Sequence, residues 1–119
     1  MTKKEFIRRS LAAKTEPTET MFTVMALTNF RDEYYFQPDL SWPQKEFDDR
    51  CTAIWAIDEC IDRIRRQYQT PPTKVAEELL FELLRYMRET NNLEKEHIFR
   101  VASVAVEDIL DYLNALCVL

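Results

Sequence analysis

Residues 41–68 read SWPQKEFDDRCTAIWAIDECIDRIRRQY, and this stretch decides the fold class. Its apolar side chains recur at steps of three, four and seven residues, which is the period of an amphipathic α-helix. They are Phe47, Ile54, Ile57, Ile61, Ile64 and Tyr68. Pro43 suits a first helical turn, Ser41 can cap it, and Pro71-Pro72 stops it. The pattern predicts a helix over about residues 43–69.

Prolines and an asparagine pair divide the rest of the chain into four further helical segments. Their predicted ranges are about 3–14, 18–36, 73–90 and 93–119. Thr73 can cap the helix over 73–90, and Asn91 or Asn92 both ends that helix and can cap the last one. The helix over 18–36 is apolar around most of its axis, which predicts either a buried central helix or an association surface.

The last helix has an apolar sector about 180° wide, which includes Ile98 and Ile109. We therefore expect it to pack against two or more neighbours, or against one neighbour and a second subunit. A homodimer through 18–36 or 93–119 is consequently an open alternative.

The 119-residue chain contains no glycine, and this excludes several classes of site. Phosphate-cradling loops, dinucleotide-binding fingerprints and nucleophile elbows need backbone conformations that glycine adopts at little cost. Tight hairpin turns also prefer glycine, so a β-meander or barrel is hard to build. We predict an all-α, single-domain helical bundle over residues 1–119. It has four main helices plus a short basic N-terminal helix, and residues 1–14 are either part of the bundle or peripheral to it.

Charge is divided unevenly along the chain. Residues 1–14 carry five basic side chains and one acidic one, a net +4, so a total of −5 leaves residues 15–119 at −9. An acidic protein repels phosphate, which argues against nucleic acid as a partner.

The last helix carries acids near its C-terminal end, where they oppose the helix dipole and favour a cationic neighbour. We hypothesise that the basic segment 1–14 docks beside these acids, within the chain or across a dimer. The alternative is that the basic segment and the acidic end of the last helix are both solvated. The candidates are Lys3, Lys4, Arg8 and Arg9 on one side, and Glu107, Asp108 and Asp111 on the other.

Cysteine spacing and hydropathy indicate the cellular compartment of the protein. Cys51 and Cys60 lie about 13 Å apart on nearly opposite sides of one predicted helix, so they cannot form a disulfide with each other. Cys117 makes the number of cysteines odd, which favours a reducing compartment. The sequence has no apolar run long enough for a membrane span or a secretory signal, although a short presequence within residues 2–14 is an open alternative. We therefore expect a cytoplasmic protein with no membrane partner.

Five aromatic residues are candidate partner contacts. Trp55 and Phe81 interrupt the charged faces of their predicted helices, where such side chains are either covered by other parts of the chain or kept for a partner. Covering is the favoured explanation for Trp55. Tyr34, Tyr35 and Trp42 crowd the second predicted connection, a composition typical of interface anchors and also of a loop pinned to a bundle end.

Acidic pairs three residues apart suggest a metal-dependent alternative. They are Glu16/Glu19, Glu46/Asp49, Glu59/Asp62 and Asp108/Asp111. Such pairs are similar to those with which all-α nucleotide pyrophosphohydrolases of the MazG type bind magnesium. Random placement of 21 acids in 119 residues gives about four such pairs, so their number carries no excess information.

Two further patterns have ordinary explanations. Glu94 and His97 have the Glu-x-x-His spacing of di-iron bundles, but a di-iron site needs two such motifs and the chain has one histidine. We expect His97 to be solvated. The basic residues around Arg63 and Arg66 are spaced for ion pairs with acids four residues earlier, which predicts a solvated, salt-bridged face rather than a phosphate site.

The sequence assigns no catalytic, cofactor-binding or metal-binding residue. We expect a small acidic protein–protein interaction module, such as an adaptor, regulator or inhibitor, rather than an enzyme. The alternatives are a metal-dependent pyrophosphohydrolase of the MazG type and a nucleic-acid-associated protein.

Overall fold

The structure is a computed structural model, and it describes residues 18–117. The described chain folds into helices α1 (Thr18–Tyr34), α2 (Gln44–Arg66), α3 (Pro72–Glu89) and α4 (Leu93–Cys117), and this part of the chain contains no strand. The predicted all-α bundle and its four main helices are confirmed. The short basic helix predicted within residues 1–14 lies outside the described residues.

The predicted helix caps at Asn92, Ser41 and Thr73 had different outcomes. The Oδ1 atom of Asn92 accepts hydrogen bonds from the backbone amides of Glu94 and Lys95 at 2.9 and 3.1 Å, so this cap is confirmed. The Ser41 cap is wrong because its amide is held in a turn by the Asp39 carboxylate at 2.8 Å, and the helix begins only after Pro43.

The Thr73 cap is wrong as well. Helix α3 begins at Pro72, so Thr73 lies inside its first turn. At both helices a proline, whose φ is already close to helical, lies at the boundary in place of a side-chain cap.

Two helices end earlier than predicted. Helix α1 stops at Tyr34 instead of residue 36, and α2 stops at Arg66 instead of residue 69. Gln67 leaves the helical region with φ −110° and ψ 46°, and its amide still bonds to the Arg63 carbonyl. Tyr68 therefore does not continue the apolar face of α2, and about half of its surface is exposed.

The core lies where α4 packs against both α2 and α3, so the prediction of two neighbours for the last helix is confirmed. Its fully buried side chains include Ile57, Cys60, Ile64, Val75, Val106 and Ile109. Ile98 was predicted in the buried sector but is nearly half exposed, whereas Val106 and Ser103 are buried. The predicted Ile109 is fully buried, so the buried face of α4 overlaps the predicted sector and is shifted toward Val106 and Ser103.

Helix α1 packs on α2 along one side only. Leu27 is fully buried, and the Arg31 guanidinium pairs with Asp58 of α2 at 2.5 Å. Met21 and Met25 remain exposed, so the prediction of a buried central helix is wrong while that of an association surface stays a prediction.

Ion pairs join α2 to α3. Arg63 donates to Glu59 at 3.0 Å and to Glu82 of α3 at 2.7 Å, and Arg66 pairs with Asp62 at 2.8 Å. The predicted pairs at four-residue spacing are confirmed. The hydrogen bond from Arg63 holds the pKa of the Glu82 carboxyl below its usual range.

None of the helices described in residues 18–117 is long and apolar enough to cross a membrane.

Candidate functional site

Two adjoining open cavities of about 620 and 640 Å³ run along one side of the bundle. They share Tyr35 and Arg50, and we call them together the trough. The walls come from the end of α1, residues 35–43, the first half of α2 and one side of α4. The remaining lining residues are Phe30, Tyr34, Trp42, Glu46, Asp49, Ala53, Arg100, Val101, Val104, Asp108, Asp111 and Tyr112.

Helical spacing explains why α4 contributes a continuous wall. Val101, Val104, Asp108 and Asp111 follow one another at three- and four-residue steps, which places them on one side of the helix. Val104 is 51% exposed although it is a large apolar residue. The trough therefore has an apolar stretch that leads into an acidic one.

Arg50 organises the aromatic wall. Its Cζ atom lies 5.4, 4.9 and 5.6 Å from the ring centroids of Tyr35, Phe36 and Trp42. Its Nη1 atom also donates a hydrogen bond to the Tyr34 carbonyl at 3.0 Å. Cation–π attraction and this hydrogen bond attach residues 35–42 to α2.

Tyr35 connects the same segment to α4. Its hydroxyl donates a hydrogen bond to the Asp108 carboxylate, and burial followed by this contact raises the pKa of Tyr35 above its ordinary value. Phe30 of α1 stacks on Tyr112 of α4 with 4.8 Å between the ring centroids. The end of α1 is thereby fixed against α4, and the trough has a defined shape.

His97 contributes a second link, between α4 and α2. His97 is partly exposed, as predicted, and its Nε2 atom also lies 2.8 Å from Oδ1 of Asp49, a contact that was not predicted. The two residues are 48 positions apart, and local spacing contained no sign of this contact. The neighbouring Arg100 is paired with Glu96 at 2.8 Å.

The trough retains negative charge that the described chain does not neutralise. Arg50, Arg100 and Asp49 all have partners, as described above. Within residues 18–117, no hydrogen bond or ion pair is formed by the side chains of Glu46 and Asp111. Such carboxylates favour a cationic occupant.

Glu107 extends the acidic border. It is exposed and lies three residues after Val104 and four before Asp111 on α4. It therefore flanks the acidic end of the trough on the same side of the helix.

The structure brings together only some of the predicted contact residues. Tyr34, Tyr35 and Trp42 meet at the trough, where Asp108 and Asp111 also lie. Arg50 was missed by sequence reasoning; the one available signal was an arginine shortly after an aromatic-rich connection. The docking candidates Lys3, Lys4, Arg8 and Arg9 lie outside the described residues.

Trp55 and Phe81 do not line the trough. Trp55 is 51% exposed on α2, so the described chain covers only half of it. Phe81 is 67% exposed on α3 among charged residues that include Glu78 and Arg85. These two aromatics are separate surface features.

The described residues contain no group of three or more histidine, cysteine or acidic side chains that could hold a metal ion. Glu59 binds Arg63, while Glu46 and Asp49 line the trough. Burial raises the pKa of the Cys60 thiol to about 12, so it is a core residue and a poor nucleophile.

Comparison of the chain with protein-family models, with curated proteins and with solved structures gave no match. The chemistry of the trough is therefore the basis for a functional proposal.

Proposed function

We propose that the protein is a non-enzymatic interaction module whose trough binds a basic amphipathic segment of another protein, in the cytoplasm. One observation carries the proposal: the carboxylates of Glu46 and Asp111, which have no ion-pair partner within residues 18–117, flank an open surface formed by Trp42, Val101 and Val104. Apolar anchors supply affinity, and the acids supply charge complementarity.

The dimensions of the trough suit a short helix. Between Arg100 and Tyr112, α4 rises about 18 Å, which equals the length of about three turns of a bound helix. An amphipathic helix uses side chains at positions i, i+3, i+4 and i+7 to fill such a groove. A partner with apolar residues at these positions and lysine or arginine beside them fits both parts of the surface.

Aromatic residues at the trough are already held in place. Arg50 contacts Tyr35, Phe36 and Trp42, and Tyr35 is bonded to Asp108. A surface whose large side chains are ordered before binding loses less conformational entropy when a partner arrives. We therefore expect the trough to have the same shape before and after the partner binds.

The acids also favour a polypeptide over a phosphate-bearing partner. Nucleic-acid binding is dominated by cations that neutralise phosphates, and the two arginines at the trough are already engaged. Glu46 and Asp111 would repel such a ligand.

A binding titration with the full chain tests the proposal. The probe is a fluorescent 14-residue peptide of lysines and leucines with an amphipathic helical pattern, and fluorescence anisotropy reports its binding. We expect a Kd on the order of 10 μM. The same peptide with glutamate in place of lysine should not bind measurably.

Matched charge variants locate the site. Asp111→Lys should weaken binding about tenfold. Glu78→Lys, on the exposed surface of α3, makes the same charge change and should have a small effect. Equal losses in both variants, or binding of the glutamate peptide, would refute the proposal. Circular dichroism checks that each variant is folded.

Self-association is a second candidate, favoured by the exposed methionines of α1. Met21 and Met25 line a cavity of about 220 Å³ with Arg65, and about half of Met25 is exposed. Sedimentation velocity over a range of concentrations measures the mass. A dimer should be lost in Met25→Glu, and a concentration-independent monomer would exclude this candidate.

A further inference from the structure

We infer that the chain's own residues 1–14 occupy the acidic end of the trough and compete there with the partner segment. This rests on the proposed function, because it assigns a second, internal ligand to the same surface. The relevant segment reads MTKKEFIRRSLAAK and combines basic and apolar residues.

The composition of the segment matches the chemistry of the trough. Its five basic side chains and one acid give a net +4, whereas the rest of the chain carries −9. Phe6, Ile7 and Leu11 fall within about 140° of one another at 100° per residue, so a helix of this sequence has an apolar side. The segment thus has both properties that the proposed partner needs.

The path of the chain puts the segment within reach. Helix α1 begins at Thr18, and the next residues, Glu19 and Thr20, line a cavity of about 310 Å³ with Leu113 and Leu116 of α4. The acidic end of the trough lies at the other end of α1, beside Tyr34 and Tyr35, about 24 Å from Thr18 along the helix axis. Residues 1–17 span about 56 Å when extended, so the chain is long enough for the segment to reach the acids.

The electrostatics of α4 favour a cationic neighbour at this place. No basic residue occurs in its last turn, while Glu107, Asp108 and Asp111 lie in its C-terminal half. These three carboxylates lie within about 6 Å along the helix axis and repel one another. Positive charge docked beside these acids removes part of this repulsion without any change in the core.

Zero-length crosslinking of the full chain tests the contact. A carbodiimide joins lysine amines to carboxylates in direct contact, and mass spectrometry identifies the pairs. We expect Lys3 and Lys4 to link to Glu107, Asp108 or Asp111 at least five times more often than to Glu78. A mixture of ¹⁴N- and ¹⁵N-labelled protein separates links within one chain from links between chains. Links spread evenly over the surface, or formed mainly between chains, would overturn the inference.

Competition with the lysine–leucine peptide provides the second arm. Arg8→Glu with Arg9→Glu should tighten peptide binding about fivefold, because the internal competitor is weakened. Arg65→Glu with Arg88→Glu makes the same change in net charge at exposed positions of α2 and α3 and is the control.

The two proposals fail in different ways. Failure of the peptide to bind even the Arg8→Glu, Arg9→Glu protein would overturn the proposed function. Peptide binding with equal affinity changes in the two double variants would overturn the internal competitor and leave the proposed function standing.

Discussion

Replacing Arg50 with alanine should release the connection between α1 and α2. The guanidinium contacts the rings of Tyr35, Phe36 and Trp42 at 4.9 to 5.6 Å and donates to a backbone carbonyl at 3.0 Å. Each cation–π contact at a partly exposed site contributes about 0.5 to 1 kcal/mol, and a charged hydrogen bond about 1.5 to 3 kcal/mol. These contributions share one side chain and do not add fully, so we expect a loss of about 2 kcal/mol.

This loss translates into a measurable change in melting temperature. For a chain of this length, 1 kcal/mol corresponds to about 4 °C, so Arg50→Ala should lower Tm by about 8 °C. Circular dichroism at the helical band measures Tm. The chain has two tryptophans, so a Trp55→Phe background leaves Trp42 as the single fluorescent reporter of the loosened wall.

Two control substitutions sharpen the test. Arg50→Lys keeps the charge but lacks the flat guanidinium. It should therefore be more stable than Arg50→Ala and less stable than the unchanged protein. Arg65→Ala removes an exposed arginine from the same helix and should change Tm by less than about 2 °C. If Arg50→Ala behaved like Arg65→Ala and left the Trp42 emission unchanged, the assignment of Arg50 as the organising residue would be refuted.

Three further predictions concern stability. Arg63→Gln should cost about 1 kcal/mol at pH 7, because a partly exposed ion-pair network is weakened. The lowered pKa of Glu82 means that this contribution is present above the ordinary glutamate pKa and is lost as pH falls through the folded value. Melting curves of both proteins should therefore converge between pH 5 and about 3; a constant difference would contradict this. Asn92→Ala should cost about 1 kcal/mol in thermal melts while Asn91→Ala costs much less, since only Asn92 caps α4, and equal losses would contradict the cap. Tyr35→Phe should cost about 1 kcal/mol in urea unfolding by removing the hydroxyl that binds α4, and an unchanged midpoint would show that this bond contributes nothing.

The helices were predictable because their signals are local. Ile54, Ile57, Ile61 and Ile64 recur at helical steps, and all are buried in α2. Asn92 precedes its helix directly, so its capping role depends on neighbouring residues only. The Ser41 and Thr73 caps were wrong because a proline at the helix boundary determines where each helix starts.

The trough was only partly predictable because its contacts depend on tertiary structure. The sequence showed that Tyr34, Tyr35 and Trp42 are crowded together. It did not show that Arg50 lies among aromatic rings, since this depends on how residues 35–43 fold back. The contact between His97 and Asp49 has the same origin, because it requires α4 to lie across α2.

The short link between α3 and α4 bears on the order in which the molecule assembles. Only residues 90–92 separate these helices, so they meet with little loop-closure entropy, and their side chains Leu79 and Val106 share one core. We expect high φ-values at these two positions and low ones in residues 35–43, where a longer connection must close. Backbone amide protons of residues 35–43 should also exchange with solvent sooner than those of α3 and α4. The aromatic wall of the trough is then the last part of the described structure to form during folding and the first to open afterwards.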